Sequence, residues 1–267
     1  AGRRMALDPG DAVGSLDGIP GKDPAFGLDA VWIEPAQKTQ AEAMGYTVVD
    51  PSAVLATHLN QVVLRHAADL FGHAEAQKLL EVLARQSPQL AEELVPGAVP
   101  HHVLMQVLKA LLQEQVPLTD IRTIAETLLS RAGELRDPLQ LAEAVRRALG
   151  PLIVQTIFGS DTSQPLELIT LDPDLDAVLV QSLGRDGGGA VEPSLAERLV
   201  AAAETAAEQQ EIKGRPGVLL VQVPLRRPLA QLLRGARHPV HVLSYPEIPD
   251  SRRVTVVNVL GGASTQS

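Results

Sequence analysis

Residues 101–129 read HHVLMQVLKALLQEQVPLTDIRTIAETLL. Val103, Leu104, Val107, Leu108, Leu111 and Leu112 recur at steps of three and four, the spacing of one helix face. Leu118, Ile121, Ile124, Leu128 and Leu129 repeat that period directly afterwards. Two amphipathic helices with a short connection must bury their apolar faces against further elements of the same kind. Leu79, Leu80 and Leu83 mark such a helix upstream. Downstream, Asp137-Pro138 with Gln140 at the third helical position opens another, which Gly150 is expected to end. Residues 73–150 therefore read as an all-helical subdomain.

The pattern changes on both sides of that block. Towards the C-terminus, Leu166–Leu171, Val218–Val223, Val240–Ser244 and Val254–Val259 are short aliphatic runs of strand type. Helical stretches alternate with them: one from Asp172-Pro173, one from Ser194 with Glu197 completing a capping box, and one over Arg226–Arg234. This alternation predicts a small α/β unit. Towards the N-terminus, residues 1–30 are rich in turn formers, among them Asp8-Pro9-Gly10, Ile19-Pro20-Gly21 and Asp23-Pro24. Strands are expected around Met5–Leu7, Ala30–Ile33 and Tyr46–Val49, with a short helix between Pro35 and Gly45. Asp50 as N-cap and Pro51 at the first helical position open a helix carrying Val54, Leu55, Val62 and Val63. The fold class is α+β: a small α/β N-terminal lobe, an all-helical middle and an α/β C-terminal subdomain.

Composition narrows the function. The chain has 267 residues, 45% of them apolar but only 2% aromatic, so its core must be aliphatic. A formal charge of −9 and six aromatics argue against nucleic-acid binding, which needs a basic face or stacking platforms. With no cysteine, disulfides, thiolate metal sites and thiol catalysis are excluded. No apolar stretch is long enough to span a bilayer. The opening Ala1-Gly2-Arg3-Arg4 has neither an initiator Met nor a signal pattern, and the chain reads as a soluble piece of something longer. Charge is polarised: residues 151–212 hold eleven acids and two bases, and residues 213–267 hold two acids and eight bases. Packing of those two segments against each other compensates both.

Reaction chemistry is missing from this pattern. Gly187-Gly188-Gly189 follows a helix instead of a strand and lacks a following Lys-Ser/Thr, so it reads as a loop, not a phosphate cradle. His101-His102 has no carboxylate at metal spacing and reads as surface histidines at a helix start. Gly14-Ser15-Leu16-Asp17-Gly18 is not a nucleophile elbow. Asp172, Asp174 and Asp176 sit where acids complement a helix N-terminus. No catalytic residue, metal or cofactor is expected. A competing class, a nucleotide- or small-molecule-binding enzyme on the C-terminal α/β unit, would need a phosphate loop after a strand.

Residues 19–59 are different. Phe26 sits on a turn in Asp23-Pro24-Ala25-Phe26-Gly27-Leu28, and Thr57 lies mid-helix in Ala56-Thr57-His58-Leu59. Composition alone puts Phe26 in the core. These segments, with Gly45-Tyr46-Thr47-Val48-Val49, Glu93-Leu94-Val95-Pro96, Asp120-Ile121-Arg122-Thr123-Ile124 and Val242-Leu243-Ser244-Tyr245, resemble the cytoplasmic region of the flagellar type III export-gate family. The resemblance keeps one register from about Arg4 to Leu260, and the motifs are specific as an ordered set. Missing from it are the family's membrane domain, the linker and the first part of the first cytoplasmic subdomain.

That resemblance implies four cytoplasmic subdomains with the second inserted into the first. Residues 1–50 would be the inserted subdomain, 51–70 the returning helix of the truncated first, 71–150 the helical third and 151–267 the fourth. It also implies a non-enzymatic protein-transport role on the cytoplasmic side of the bacterial inner membrane. The implied partners are export chaperones with bound cargo, other export-apparatus proteins including the ATPase complex, and further copies in a ring. No direct membrane contact is implied for this segment. The chaperone-docking dimple of the family maps onto Asp23, Phe26, Val54 and Thr57. Phe would supply an apolar anchor, Asp a charged rim and Thr a polar contact. The resemblance thus makes partial exposure the expectation for Phe26.

Overall fold

The computed structural model describes residues 2–8, 10, 12–24, 27–183 and 189–261. The chain divides into two compact units, Ala1–Leu70 and Phe71–Ser267. The architecture is α+β, as the sequence pattern predicts.

The N-terminal unit is built on an antiparallel sheet with strand order β2-β3-β1-β4. Its strands are β1 (Arg4–Leu7), β2 (Ile19–Lys22), β3 (Asp29–Ile33) and β4 (Thr47–Val49). Helix α1 (Lys38–Ala43) precedes β4, and α2 (Pro51–Arg65) and α3 (Ala67–Leu70) follow it. Ala6, Ile33, Ala41 and Tyr46 form one small core; Met5, Ala30 and Val54 form another, with Leu7, Trp32 and Val49 against it. β2 is absent from the turn-based reading because Pro20 and Gly21 mark turns. An edge strand tolerates both, since its outer side needs no N–H donor. Asp50 precedes α2 in extended conformation but makes no side-chain cap bond; its carboxylate pairs with Arg4 Nε at 3.1 Å.

The C-terminal unit begins with α4 (His73–Gln86), α5 (Pro88–Glu92), α6 (His101–Gln113), α7 (Ile121–Arg131), α8 (Pro138–Ala148) and α9 (Gly150–Phe158). Asp120 and Asp137 cap α7 and α8 through Thr123 N (3.1 Å) and Leu139 N (3.1 Å). The helical run does not stop at Gly150. The chain turns at Leu149, and Gly150-Pro151 starts α9, where proline's missing N–H is no loss.

A parallel sheet follows, with order β7-β6-β5-β8. It comprises β5 (Leu166–Leu171), β6 (Gly217–Val221), β7 (Val240–Ser244) and β8 (Val254–Leu260), with α10 (Pro173–Leu183), α11 (Pro193–Ile212) and α12 (Val223–Leu233) as connections. Glu192, instead of Ser194, caps α11, accepting from Ser194 N and Leu195 N. Strand side chains alternate between faces. Leu166, Leu168, Val218, Leu220 and Leu243 join the helical core with Leu104, Leu108, Ile124, Leu128 and Val145. Ile169, Leu171, Leu219, Val221 and Val242 form a second core with α10, α11 and α12. β6 is buried along its whole length, which explains its unbroken Val-Leu-Leu-Val run. The acidic and basic segments meet: Arg215 pairs with Glu167, His238 Nδ1 lies 2.6 Å from Glu211, and the main-chain N of Arg237 donates to Glu204 at 2.6 Å.

Candidate functional site

In the N-terminal unit, the turn after β2 closes on itself. Asp23 N donates to Leu28 O at 2.8 Å, and Gly27 N donates to Asp23 O at 2.8 Å. Gly27 has φ +72°, in the left-handed region where a side chain is strained. A bond between Pro24 O and His58 Nδ1, 2.9 Å, ties the turn to α2. A carbonyl only accepts, so His58 carries its proton on Nδ1.

The bond joins Pro24, next to Asp23, to the helix that carries Val54 and Thr57. Val54 is buried under the sheet, Thr57 is exposed, and His58 follows directly to hold the turn. Asp23, to which the resemblance assigns a charged rim, is 5% exposed. Both of its main-chain groups bond within the loop. Phe26 lies outside the described residues. His58 was missed by sequence reasoning; its only signal was a histidine next to Thr57, facing a loop whose proline carbonyl needs a donor. Around the same turn, Leu28, Leu55 and Leu59 are exposed apolar side chains.

The strongest electrostatics lie elsewhere, between the helical block and the sheet of the C-terminal unit. Arg226 on α12, 1% exposed, bonds Glu143 on α8 (Nε to Oε2, 2.7 Å) and Glu114 at the end of α6 (Nη2 to Oε1, 3.0 Å). Arg146 on α8 pairs with Glu114 (3.1 Å) and with the buried Glu247 (3.0 Å). Glu247 also accepts from Ser244 N and Oγ at 2.6 and 2.7 Å. Beside them is a cleft of about 330 Å³ lined by Gln113, Arg146, Ile153, Leu233, Arg234 and His241. Burial and the Arg146 charge lower the His241 pKa.

The two partners of Arg226 titrate in opposite directions. Burial raises the Glu143 pKa beyond what Arg226 lowers it. Burial also raises Glu114, but Arg146 and Arg226 together outweigh it, and its pKa is lowered. Glu143 therefore stabilises the fold most when protonated, and that contribution is lost as pH rises through its folded-state value. Glu114 contributes above the ordinary carboxylate value, and its contribution is lost as pH falls through its depressed value. Glu143→Gln is expected to remove the first limb. Denaturation midpoints of the variant, measured from about pH 4.5 upward, should climb relative to wild type. Parallel profiles would contradict this assignment.

These groups form a strut, not a reactive centre, because every carboxylate is engaged by arginine. No group of three His, Asp or Glu side chains among the described residues is arranged to hold a metal. β5 and β6 run directly into Asp172-Pro173 and Gln222-Val223-Pro224, without a glycine-rich phosphate loop. Gly187 and Gly188 lie outside the described residues. His101 is half-buried and stacks on His73 with ring centroids 4.6 Å apart, where the sequence reading had two surface histidines. No helix among the described residues is long and apolar enough to cross a membrane.

The fold is shared with solved structures of low sequence identity. Chlamydia pneumoniae CdsV, in its complex with CdsO, matches with a TM-score of 0.82 at 23% identity over 96% of this chain and 74% of that one. The nonameric EscV cytosolic domain from the type III secretion system matches with a TM-score of 0.70 at 21% identity over 97% and 77%. The chain itself belongs to the FHIPEP family, whose pattern spans residues 1–253. It is 47% identical to the flagellar biosynthesis protein FlhA of Escherichia coli and 45% identical to that of Salmonella typhimurium, over 98% of its length. It spans 37% of the length of those relatives. The export-gate resemblance read from the sequence motifs thus holds across the chain.

Proposed function

We propose that the chain is a cytoplasmic docking platform of a flagellar type III export gate. In this reading the N-terminal unit receives export chaperones carrying cargo. The observation that carries it is the Pro24–His58 bond, which fixes the 23–28 turn against the helix bearing Val54 and Thr57. Exposed Leu28 beyond the turn, with Leu55 and Leu59 on α2, suits an amphipathic partner helix. Asp23 and Val54 are buried and serve as the floor and frame of the site; Phe26 and Thr57 are its contact residues. The family membership and the flagellar name of the relatives support the process. The full division into subdomains 1–50, 51–70, 71–150 and 151–267 belongs to the same proposal, as do the inner-membrane location and the absence of enzymatic activity.

Ring assembly and contact with other export-apparatus proteins are read by analogy, and the ATPase complex belongs to the same proposal. EscV forms a nonamer, and CdsV was solved with CdsO. Phe26→Ala is expected to weaken binding of a chaperone–cargo complex by about tenfold or more, as loss of an aromatic anchor does. Calorimetry measures this, with circular dichroism showing the fold unchanged. Undiminished affinity in a folded variant would overturn the docking assignment.

A further inference from the structure

β8 is an edge strand, and its outer side pairs with no strand among the described residues. Its sequence, Val254-Thr255-Val256-Val257-Asn258-Val259-Leu260, contains no charge and no proline. Edges are ordinarily blunted by such residues or covered, because unpaired N–H and C=O groups recruit other strands. The register with β5 adds a second feature. Leu168 opposes Val256 and Ile169 opposes Asn258, so Val257 is the extra residue of a bulge. An unbroken strand would turn Val259 to the face opposite Val254 and Val256. The bulge instead puts Val259 opposite Thr170, on the same face as the Leu166–Val254 and Leu168–Val256 pairs. Val254, Val256 and Val259 therefore form one apolar strip, 42, 52 and 45% exposed.

The N-terminal end of the strip is cationic. Arg252 and Arg253 have no carboxylate within salt-bridge distance among the described residues. Among the described residues they bond main-chain carbonyls: Arg252 Nη2 to Asp161 O (3.3 Å) and Gln164 O (3.5 Å), Arg253 Nη2 to Ser163 O (2.8 Å). Arg252 Nε is buried without a partner. The Arg252 charge reaches the Asp161 carboxylate beyond salt-bridge distance, whereas Arg253 has no such partner among the described residues. Open edge, valine strip and the two guanidiniums are contiguous in sequence.

We infer that β8 is a strand-addition site for an extended, acidic segment of a partner protein. The segment extends the sheet by one strand through main-chain bonds, sets β-branched side chains on the valine strip, and brings a carboxylate to Arg252 and Arg253. A second copy of this chain is the poorer occupant. Its own β8 has no acid to offer, so pairing of two such edges leaves the arginines unmatched. This surface lies in the C-terminal unit and does not depend on the docking turn of the N-terminal one.

The test titrates the 267-residue chain into a labelled, acetylated octapeptide alternating glutamate with valine, and separately into its lysine–valine counterpart. Fluorescence anisotropy should show saturable binding of the acidic peptide, at least about tenfold tighter than the basic one. Arg253→Glu and Val256→Lys should each weaken it by about tenfold with circular dichroism unchanged. Hydrogen exchange should show added protection at residues 254–260 in the bound chain. Equal binding of both peptides, or no saturation, would overturn the proposal. Protection of β8 that grows with protein concentration alone would also do so, assigning the edge to a second copy.

Discussion

Arg226→Ala is expected to destabilise the C-terminal unit by about 3–5 kcal/mol, the usual cost of removing one member of a buried ion network. The substitution leaves Glu114 and Glu143 beside each other with Arg146 as the remaining cation in salt-bridge contact and Arg234 acting on Glu114 from farther off; Arg146 already serves Glu247. Adding Glu143→Gln should recover part of the loss, because the amide needs no counter-charge. Arg226→Lys should remain destabilising, since an ammonium cannot bond two carboxylates as a guanidinium fork does. The chain provides its own control. Trp32 is its single tryptophan and lies in the N-terminal unit. Guanidinium denaturation followed by far-UV circular dichroism should shift, while the Trp32 fluorescence transition should stay in place. A wild-type midpoint by both probes would show that the network contributes little.

Gly150→Ala is expected to cost about 2–3 kcal/mol, against the ordinary gain from alanine in a helix. A Cβ at Gly150 would come within 2.4 Å of Glu247 O and 3.0 Å of its carbonyl carbon and Cα. That segment cannot yield easily, because Arg146 and Ser244 hold the Glu247 side chain from two sides. Gly133→Ala, where nothing lies within 4 Å, serves as the comparison and should stay within about 0.5 kcal/mol of wild type. Thermal or chemical denaturation distinguishes the two. A neutral Gly150→Ala would mean that the turn at Glu247 moves freely.

Gly150 also shows where sequence reading stops. Glycine followed by proline at the end of an apolar period is a stop signal, and the chain does turn there. Its reason for being glycine, however, is a backbone 97 residues away (150 against 247), which no local pattern contains. The helices α6, α7 and α8 were legible because each carries its own period and two have Asp caps. The parallel strands were legible as aliphatic runs. β2 was not, since Pro20 and Gly21 forbid a central strand and are harmless at an edge. Arg226 gave no warning either. An arginine on an amphipathic helix normally reaches solvent, and its partners lie 83 and 112 positions away. At the docking turn, residue chemistry alone left Phe26 in the core and could not place Thr57 beside it. Only the ordered set of family motifs connected them, and His58, the residue that joins turn to helix, belonged to none of the roles inferred.

The sharing of one core by the helical block and one face of the sheet has a consequence for synthesis. The helices through Phe158 leave the ribosome first and are stabilised by contacts close in sequence. Their sheet-facing side is completed only when Leu243 arrives, about 85 residues later. At translation rates of about 5–20 residues per second, that side stays uncovered for roughly 4–17 s. The nascent helical block is thus a half-finished object with an aliphatic face turned outward. The parallel strands pair on that template as they emerge, which makes the interval between Phe158 and Leu243 the stretch most exposed to premature association with neighbouring chains.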